Sequence, residues 1–393
     1  MEQTWRWFGP QDKVTLSDAR QAGAEAIVTA LHDVPIGQVW PVDAIRERQQ
    51  VVAAAGLRWS VVESLDVSEK IKLRAPGFQQ DIDSYIDSLR NLAACGIKIV
   101  AYNLMPVFNW MRTELTVPLP NGGYTTRFDA VAFAAFDLYM LQRKEAEADW
   151  GEDRCRAAHA LFAALSPTAR EHLQATILQG LPGGCQSLTM VQLREGLQLY
   201  RNVDAAAFRA NIAAFLRAVC PVAQELGIRL CVHPDDPPFA LIGLPRIVST
   251  ADDFAFLLDQ SPEEANGITF CAGALGVRAD NNLVEMVQRF GHRIGFAHLR
   301  STKRGSDGKS FTEAAHLEGD TDLIGITLEL IKEERRRRSL GDTTPLPFRP
   351  DHGQQLLNDI DRKAQAGYPA IGRLRGLAEL RGVILTAERL LPA

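Results

Sequence analysis

Four stretches of this sequence end a run of apolar residues on a side chain that can bind a metal ion. These side chains are His233, Cys271, His298 and Asp351, and the intervals between them are 38, 27 and 53 residues. Imidazole, thiolate and carboxylate groups together suit Mn²⁺, Fe²⁺, Zn²⁺ and Co²⁺, with the thiolate favouring the softer ions. Each interval fits one strand-and-helix unit, so the sequence predicts that four neighbouring strands bring these groups to one divalent metal site.

Taken alone, each of these residues could have a structural role instead of binding a metal ion. Cys271 stands beside Ala272 and Gly273, which is typical of a small residue packed in the core. His298 ends an apolar strand, which is also typical of a buried core histidine. Packing in a hydrophobic core would not explain why four consecutive strands each end in a residue type that binds metal ions. The metal site therefore depends on the four strands being neighbours.

The chain around these residues repeats a pattern of strand, turn, helix and glycine, which is typical of a parallel sheet. About eight such units predict an α/β fold, a closed (β/α)₈ TIM barrel. The alternative is an open doubly wound sheet, but no glycine-rich phosphate-binding motif follows any strand. The predicted strands are Trp5–Phe8, Gly23–Leu31, Leu57–Glu63, Ile97–Tyr102, Ile228–Val232, Ile268–Cys271, Arg293–His298 and Leu346–Arg349.

The repeat is interrupted between Pro106 and about Tyr200, where turn-rich pieces at Pro118–Tyr124 and Leu181–Gly184 accompany helical patterns without a convincing strand. We expect a single barrel domain over residues 1–393, with a large helical insertion at about 107–200 after an early strand. Further along, Ser301–Asp320 is predicted to be a polar, glycine-rich loop. Helices are predicted at Asp43–Ala55, Ala130–Ala148, Asp153–Leu165, Thr168–Leu178 and Ile371–Leu380.

Two arginines adjoin predicted metal ligands. Arg300 and Arg349 could clamp a substrate carboxylate bidentately, and the alternative is an ion pair at the barrel rim. His32 follows an early strand and would face the same rim. These three residues are the candidates for substrate binding.

Other ionisable groups near the predicted ligands suit acid–base chemistry. His352 adjoins Asp351, and Tyr368 lies in the loop after the last strand, where it could act as an acid or a base. Asp235 and Asp236 either orient His233 or a neighbour, or satisfy the amides of a proline-rich turn. The remaining histidines are expected at the surface: His159, His172, His292 and His316.

Composition excludes some classes of function. A net charge of −5 and a pI of about 6.0 argue against a nucleic-acid partner. The basic run Arg335–Arg338 is expected to be a solvated helix end. No apolar run approaches the roughly 20 residues that span a bilayer, and the N-terminus lacks the apolar region of a signal peptide. The six scattered cysteines suggest reduced thiols, so we expect a cytoplasmic protein.

Several stretches together resemble the mannonate dehydratase family, the metal-dependent lyases of hexuronate and glucuronate breakdown. They read C-V-H-P-D-D-P-P (231–238), F-C-A-G-A-L-G (270–276), F-A-H-L-R (296–300), F-R-P-D-H-G (348–353) and G-Y-P-A-I-G-R-L-R-G-L-A-E-L-R-G (367–382). The N-terminal W-R-W-F-G-P, T-A-L-H-D-V-P-I-G-Q-V-W (29–40) and K-I-V-A-Y-N-L-M-P-V-F-N-W (98–110) extend the resemblance over nearly the whole chain.

The resemblance implies a TIM barrel related to the xylose-isomerase-like group. It implies dehydration of D-mannonate to 2-dehydro-3-deoxy-D-gluconate with Mn²⁺ or Fe²⁺, and a metal sphere of His233, Cys271, His298 and Asp351. Tyr368 and His352 become the acid–base candidates, with Asp351 as a third. The expected partner is a small sugar acid, and a homodimer is a candidate assembly.

Two other classes of function compete with this interpretation. A metal-dependent sugar isomerase or epimerase on the same barrel needs similar metal and acid–base groups but no carboxylate clamp. A non-catalytic sugar-acid binding protein would hold a structural metal with four protein ligands. An apurinic-site nuclease on a related barrel is disfavoured by the acidic charge balance.

Overall fold

The computed structural model describes residues 1–180 and 187–391, and its centre is a closed barrel of eight parallel strands. Leu181–Gly184 and Cys185 lie outside the described residues. In chain order the strands are β1 (Glu2–Arg6), β2 (Ala26–Thr29), β3 (Arg58–Glu63), β4 (Ile99–Asn103), β5 (Glu114–Pro118), β6 (Tyr124–Phe128), β7 (Arg229–His233), β8 (Asn266–Cys271), β9 (Ile294–His298), β10 (Thr302–Arg304), β11 (Phe311–Glu313) and β12 (Pro347–Arg349).

The barrel runs in the order β1-β12-β9-β8-β7-β4-β3-β2 and closes between β2 and β1. The predicted TIM barrel is therefore confirmed, and the open sheet is excluded. Its register places His298 opposite both Cys271 and Arg349, and His233 opposite Asn103. Because all barrel strands are parallel, their carboxyl ends meet at one rim, where TIM-barrel sites lie.

A second, antiparallel sheet in the order β10-β11-β6-β5 covers this rim. The prediction that residues 107–200 lack strands was wrong, and so was the prediction that Ser301–Asp320 is only a loop. Asn121, Gly122 and Gly123 turn the chain between β5 and β6, with Gly122 at φ +83°. The sheet forms because β6 and β11, from two loops far apart in the chain, pair with each other, and Phe128 lies opposite Phe311.

The helices surround the barrel, and several differ from the prediction. The expected helix over Ala130–Ala148 is broken, because α5 continues as a π-helical segment (Phe136–Leu141) that ends at Gln142 in the left-handed conformation. The final helix is one continuous element. The helices are α1 (Leu16–Gln21), α2 (Val42–Ala54), α3 (Glu69–Leu73), α4 (Phe78–Ala94), α5 (Ala130–Ala135), α6 (Ala146–Trp150), α7 (Glu152–Ala164), α8 (Pro167–Leu178), α9 (Met190–Tyr200), α10 (Ala205–Glu225), α11 (Ala251–Asp259), α12 (Ala272–Leu275), α13 (Leu283–Phe290), α14 (Leu323–Ser339), α15 (Asp359–Arg362) and α16 (Ala370–Leu390), with a 3₁₀ turn at Gly291–Arg293.

The main core lies between the barrel and its helices, and a small cluster of Val28, Val61, Ala101 and Phe296 fills the barrel interior. Helix α10 is long and apolar enough to cross a membrane by length and composition alone, contrary to the sequence expectation. Its apolar face, which includes Phe208, is buried in the main core, and core helices pass the same test.

Candidate metal centre and active site

Three potential metal ligands meet at the carboxyl ends of adjacent barrel strands. His233, Cys271 and His298 are the last residues of β7, β8 and β9, and their ligand atoms all lie within 4.8 Å of one another. The Nε2 atom of His233 is 3.2 Å from Nδ1 of His298. Cys271 and His298 are fully buried. The barrel thus brings together three of the four ligands that the sequence predicts.

The fourth predicted ligand, Asp351, lies beside this group. Its Oδ2 atom is 3.7 Å from Cys271 Sγ and 4.0 Å from His298 Nδ1. Asp351 has φ +61°, a left-handed conformation that aspartate tolerates better than most residues. Burial opposes its ionisation, but Arg349, His352 and Arg300 hold its pKa well below the usual range. The centre therefore includes a buried carboxylate.

The donor chemistry of these residues fits a divalent cation. His233 places Nδ1 2.6 Å from the Pro234 carbonyl oxygen, which fixes a proton there and leaves Nε2 as a lone pair facing the centre. Burial lowers the pKa of His233 and, with Arg349, that of His298, which favours the neutral form that a metal ligand needs. Burial raises the pKa of the Cys271 thiol, so its thiolate requires a nearby cation.

Glu63, at the end of β3, is a site residue that the sequence reasoning missed. Its Oε1 atom lies 2.9 Å from Arg349 Nη2 and 3.3 Å from His298 Nε2, and its Oε2 atom lies 3.3 Å from Arg6 Nη1. Burial opposes ionisation, but Arg349, His298 and Arg6 lower the pKa of Glu63 to about 2. This carboxylate lies next to His298 Nε2, whereas Nδ1 of the same ring faces His233, so its charge can influence the orientation of the ring.

The two predicted clamp arginines are engaged in buried ion pairs. Arg300 lies 2.8 Å from Asp236, 2.9 Å from Asp351 and 3.1 Å from Glu313. Arg349 pairs with Glu63 and Asp351. The ion pairs that the sequence offered as the alternative role of Arg300 and Arg349 are therefore present. Binding of a substrate carboxylate by these two arginines stays a prediction.

Asp235 and Asp236 have different surroundings. Asp236 pairs with Arg300 and, at 2.8 Å, with Arg112, which is fully buried. Asp235 accepts hydrogen bonds from the Val248 amide at 2.8 Å and from the Ser249 hydroxyl at 2.9 Å. Asp236 therefore belongs to the charge network of the site, whereas Asp235 stabilises the following loop.

His352 and Tyr368 form a buried pair next to Asp351. His352 Nε2 is 3.3 Å from the Tyr368 hydroxyl oxygen and 3.8 Å from Asp351 Oδ1. The other ring nitrogen, Nδ1, is 3.0 Å from Glu313 Oε1. Burial raises the pKa of Tyr368 to about 12 although Arg349 opposes the shift, so the phenol carries its proton at neutral pH.

Two adjoining cavities give access to these groups. A small cavity of about 50 Å³ is lined by the metal-centre residues His233 and Asp351 and by Tyr368. A larger cavity of about 810 Å³ contains His32, whose ring nitrogens lack hydrogen-bond partners within the described chain. Burial, Arg6 and Arg48 lower the pKa of His32 to about 3. His32 therefore lines the larger cavity, whereas His233 and Asp351 line the small one.

Among the histidines expected at the surface, His316 is an exception. It is buried, and its Nε2 atom lies 2.7 Å from the Pro350 carbonyl oxygen, directly before Asp351. His159, His172 and His292 are exposed. In the basic run, Arg337 is also buried and donates to the carbonyl oxygens of Gly291 and Ile294, so only part of that run is solvated.

Comparison with known proteins supports the resemblance to mannonate dehydratases over nearly the whole chain. Residues 1–391 match the family model described as D-mannonate dehydratase (UxuA). Mannonate dehydratase of Chromohalobacter salexigens is 53% identical over 390 residues, covering 99% of this chain and 100% of that protein. Mannonate dehydratase of a Marinomonas species is 49% identical over 385 residues, covering 98% of each.

Solved structures agree with these sequence matches. The crystal structure of mannonate dehydratase from Streptococcus suis aligns with a TM-score of 0.76 at 30% identity, covering 99% of this chain and 94% of that one. A xylose isomerase-like TIM barrel protein from Mycobacterium smegmatis aligns with a TM-score of 0.52 at 15% identity, covering 98% and 97%, which shows the fold alone. The chain belongs to the D-mannonate dehydratase family.

Proposed function

We propose that this chain is a hydro-lyase that converts D-mannonate to 2-dehydro-3-deoxy-D-gluconate. The observation that carries the proposal is the buried His352–Tyr368 pair, which lies against Asp351 beside the cluster of His233, Cys271 and His298. Family membership supports the same reaction. Dehydration needs a base at C2 and an acid for the C3 hydroxyl, and it needs no redox cofactor.

The four predicted ligands His233, Cys271, His298 and Asp351 would hold Mn²⁺ or Fe²⁺. A bound divalent ion would stabilise the negative charge that develops next to the substrate carboxylate when C2 loses its proton. Imidazole, carboxylate and thiolate suit ions of this type, and the thiolate suits Fe²⁺ in particular. Arg300 and Arg349 offset the buried carboxylates around them, so a bound divalent ion would supply the positive charge that favours an anionic substrate.

Tyr368 suits the role of acid, because its raised pKa keeps the phenol protonated at neutral pH. His352 suits the role of base, because Nε2 faces Tyr368 and the small cavity. In this scheme His352 takes the C2 proton, and Tyr368 protonates the departing C3 hydroxyl to release water. The contact of 3.3 Å between the two groups then lets His352 return its proton to Tyr368, and the enol product tautomerises to the keto acid.

We also propose a cytoplasmic setting for the reaction. Cys95, Cys155, Cys220, Cys231 and Cys271 form no disulfide among themselves, which supports a reducing cytoplasm. D-Mannonate is the proposed small-molecule partner. A homodimer stays a prediction of the sequence.

The direct test is incubation of the Mn²⁺- or Fe²⁺-loaded protein with D-mannonate while 2-keto acid is measured. Tyr368→Phe should keep the metal but lower kcat by roughly 10²–10⁴-fold, the usual contribution of a general acid. His298→Ala should lose metal and activity together, whereas the exposed His172→Ala should change neither. Absence of keto acid contradicts the lyase proposal, and an isomerised sugar product would favour the isomerase alternative.

A further inference from the structure

The antiparallel sheet of β10, β11, β6 and β5, the accessory sheet, places a carboxylate next to the proposed catalytic pair of His352 and Tyr368. Glu313 is the last residue of β11, is buried, and lies opposite Thr302 of β10. Its backbone carbonyl accepts a hydrogen bond of 2.9 Å from the Thr125 hydroxyl of β6. Both neighbouring strands therefore fix the position from which Glu313 contacts His352 Nδ1 at 3.0 Å.

Two buried arginines fix the Glu313 side chain. Arg112 Nη2 donates to Oε1 at 2.6 Å, and Arg300 Nε lies 3.1 Å from Oε2. Burial opposes ionisation, but Arg300, His352 and Arg112 lower the pKa of Glu313 to about 2. An ionised carboxylate accepts hydrogen bonds and donates none, so the Nδ1 atom of His352 must carry a proton.

The His352 ring has little freedom to turn away from this carboxylate. The Tyr368 ring packs against it edge-on at 4.9 Å between centroids, and the Trp110 ring does so at 5.9 Å. On another side, a methyl group at Gly367 would contact the ring carbons at 3.4 Å. With Nδ1 protonated and the ring held, Nε2 is the nitrogen that faces the Tyr368 hydroxyl, where its lone pair can accept a hydrogen bond.

We propose that Glu313 is a positioning residue, which fixes the Nδ1-protonated tautomer of His352 and so turns the lone pair of Nε2 toward Tyr368 and the small cavity. The proposal rests on the proposed roles of His352 and Tyr368. Glu313 makes no contact with the reacting atoms in this scheme. It also gives the accessory sheet a function, because that sheet brings both Glu313 and the Arg112-bearing loop to the barrel rim.

Glu313→Leu tests this idea, because it removes both carboxylate oxygens and keeps a side chain of similar volume. Glutamine is less informative, since Arg112 Nη2 and His352 Nδ1 share Oε1 and an amide oxygen there would still accept from both. In the leucine variant no acceptor holds the proton on Nδ1, so Nε2 can carry it and face Tyr368. We expect kcat to fall roughly 10-fold or more, with little change in KM or metal content, since proton transfer is impaired rather than binding.

Asp236→Leu is the matched control, because Asp236 pairs with the same two arginines but makes no described contact with His352. Each change is combined with His352→Ala. If Glu313 acts through His352, Glu313→Leu should cost little further activity in that background, whereas Asp236→Leu should cost the same factor in both backgrounds. Equal additivity of the two carboxylate variants would overturn the proposal.

Histidine ¹⁵N chemical shifts of the Zn²⁺-loaded protein provide a readout that needs no turnover. The His352 signals, assigned by their loss in His352→Ala, should show the Nδ1-protonated tautomer in the native protein and a shift toward the Nε2-protonated tautomer in Glu313→Leu. An unchanged tautomer in the variant would overturn the proposal even if keto acid is formed. Should Glu313→Leu fail to fold, Glu313→Asp keeps the charge but withdraws it by about 1.5 Å, and should also release the tautomer.

Discussion

Replacing Gly372 with alanine should damage both stability and activity, because this glycine allows α16 to approach the loop that carries Asp351 and His352. A methyl carbon at Gly372 would overlap the Gln354 carbonyl oxygen and lie 2.8 Å from the Gln354 nitrogen. Both of these are backbone atoms, so no flexible side chain can move aside. The loop or the helix must shift instead.

The loop cannot shift freely, because it is held on two sides. Gln355 exchanges backbone hydrogen bonds of 2.8 and 3.0 Å with Tyr124 of β6, and the Gly353 amide donates to the Gly367 carbonyl at 3.0 Å. Overpacking of this kind costs about 1–3 kcal/mol. Alanine should recover at most about 0.5–1 kcal/mol of that as a better helix former, which leaves a net loss of up to about 2.5 kcal/mol.

Gly382→Ala in the same helix is the matched control, because nothing lies within 4 Å of the added carbon. This control should gain about 0.5–1 kcal/mol in the free energy of unfolding. Urea unfolding of both variants, with kcat measured on the same samples, checks the pair. If Gly372→Ala is as stable and as active as Gly382→Ala, the contact with Gln354 does not constrain the site.

Two further predictions concern metal and pH. Chelation of the metal should abolish keto acid formation and lower Tm, since the ion binds only the folded centre, and Mn²⁺ or Fe²⁺ should restore both; an unchanged Tm would contradict the centre. Burial, Arg6 and Arg48 lower the pKa of His32 from 6.5 to about 3, so between these pH values the unfolded chain is protonated at His32 and the folded chain is not. The contribution of neutral His32 to the free energy of unfolding is therefore fully present above about pH 6.5. It is lost as the pH falls toward 3, by up to about 1.4 kcal/mol per pH unit. Urea unfolding at pH 7 and pH 5 should show a smaller loss in His32→Gln than in the native protein, and equal losses would refute this assignment.

The barrel and its predicted ligands could be derived from sequence because both depend on local rules. Each late barrel strand is a short apolar run, and in a parallel barrel the residue types that end such runs must meet at one rim. The same rule applied to β3 would have found Glu63. β3 also ends in a carboxylate at the rim, so the sequence does contain the signal for Glu63.

The accessory sheet could not be derived in the same way, since its strands depend on partners far along the chain. β5 has only partly buried or exposed residues, so its apolar alternation is weak. The Asn121-Gly122-Gly123 turn was the available hairpin signal. Pairing of β6 with β11, and with it the meeting of Arg112, Glu313 and His352, has no local signature in the sequence.

The pairing of these two loops also sets the order in which the site can be completed during folding. Arg112 precedes Asp236 by 124 residues and Glu313 by 201, so a growing chain exposes this guanidinium long before either partner exists. Closing such long loops is entropically costly and slow compared with forming local strand–helix units. A chain interrupted before β11 would therefore lack Glu313, one of the two carboxylates that pair with Arg112, and would leave this guanidinium with Asp236 alone.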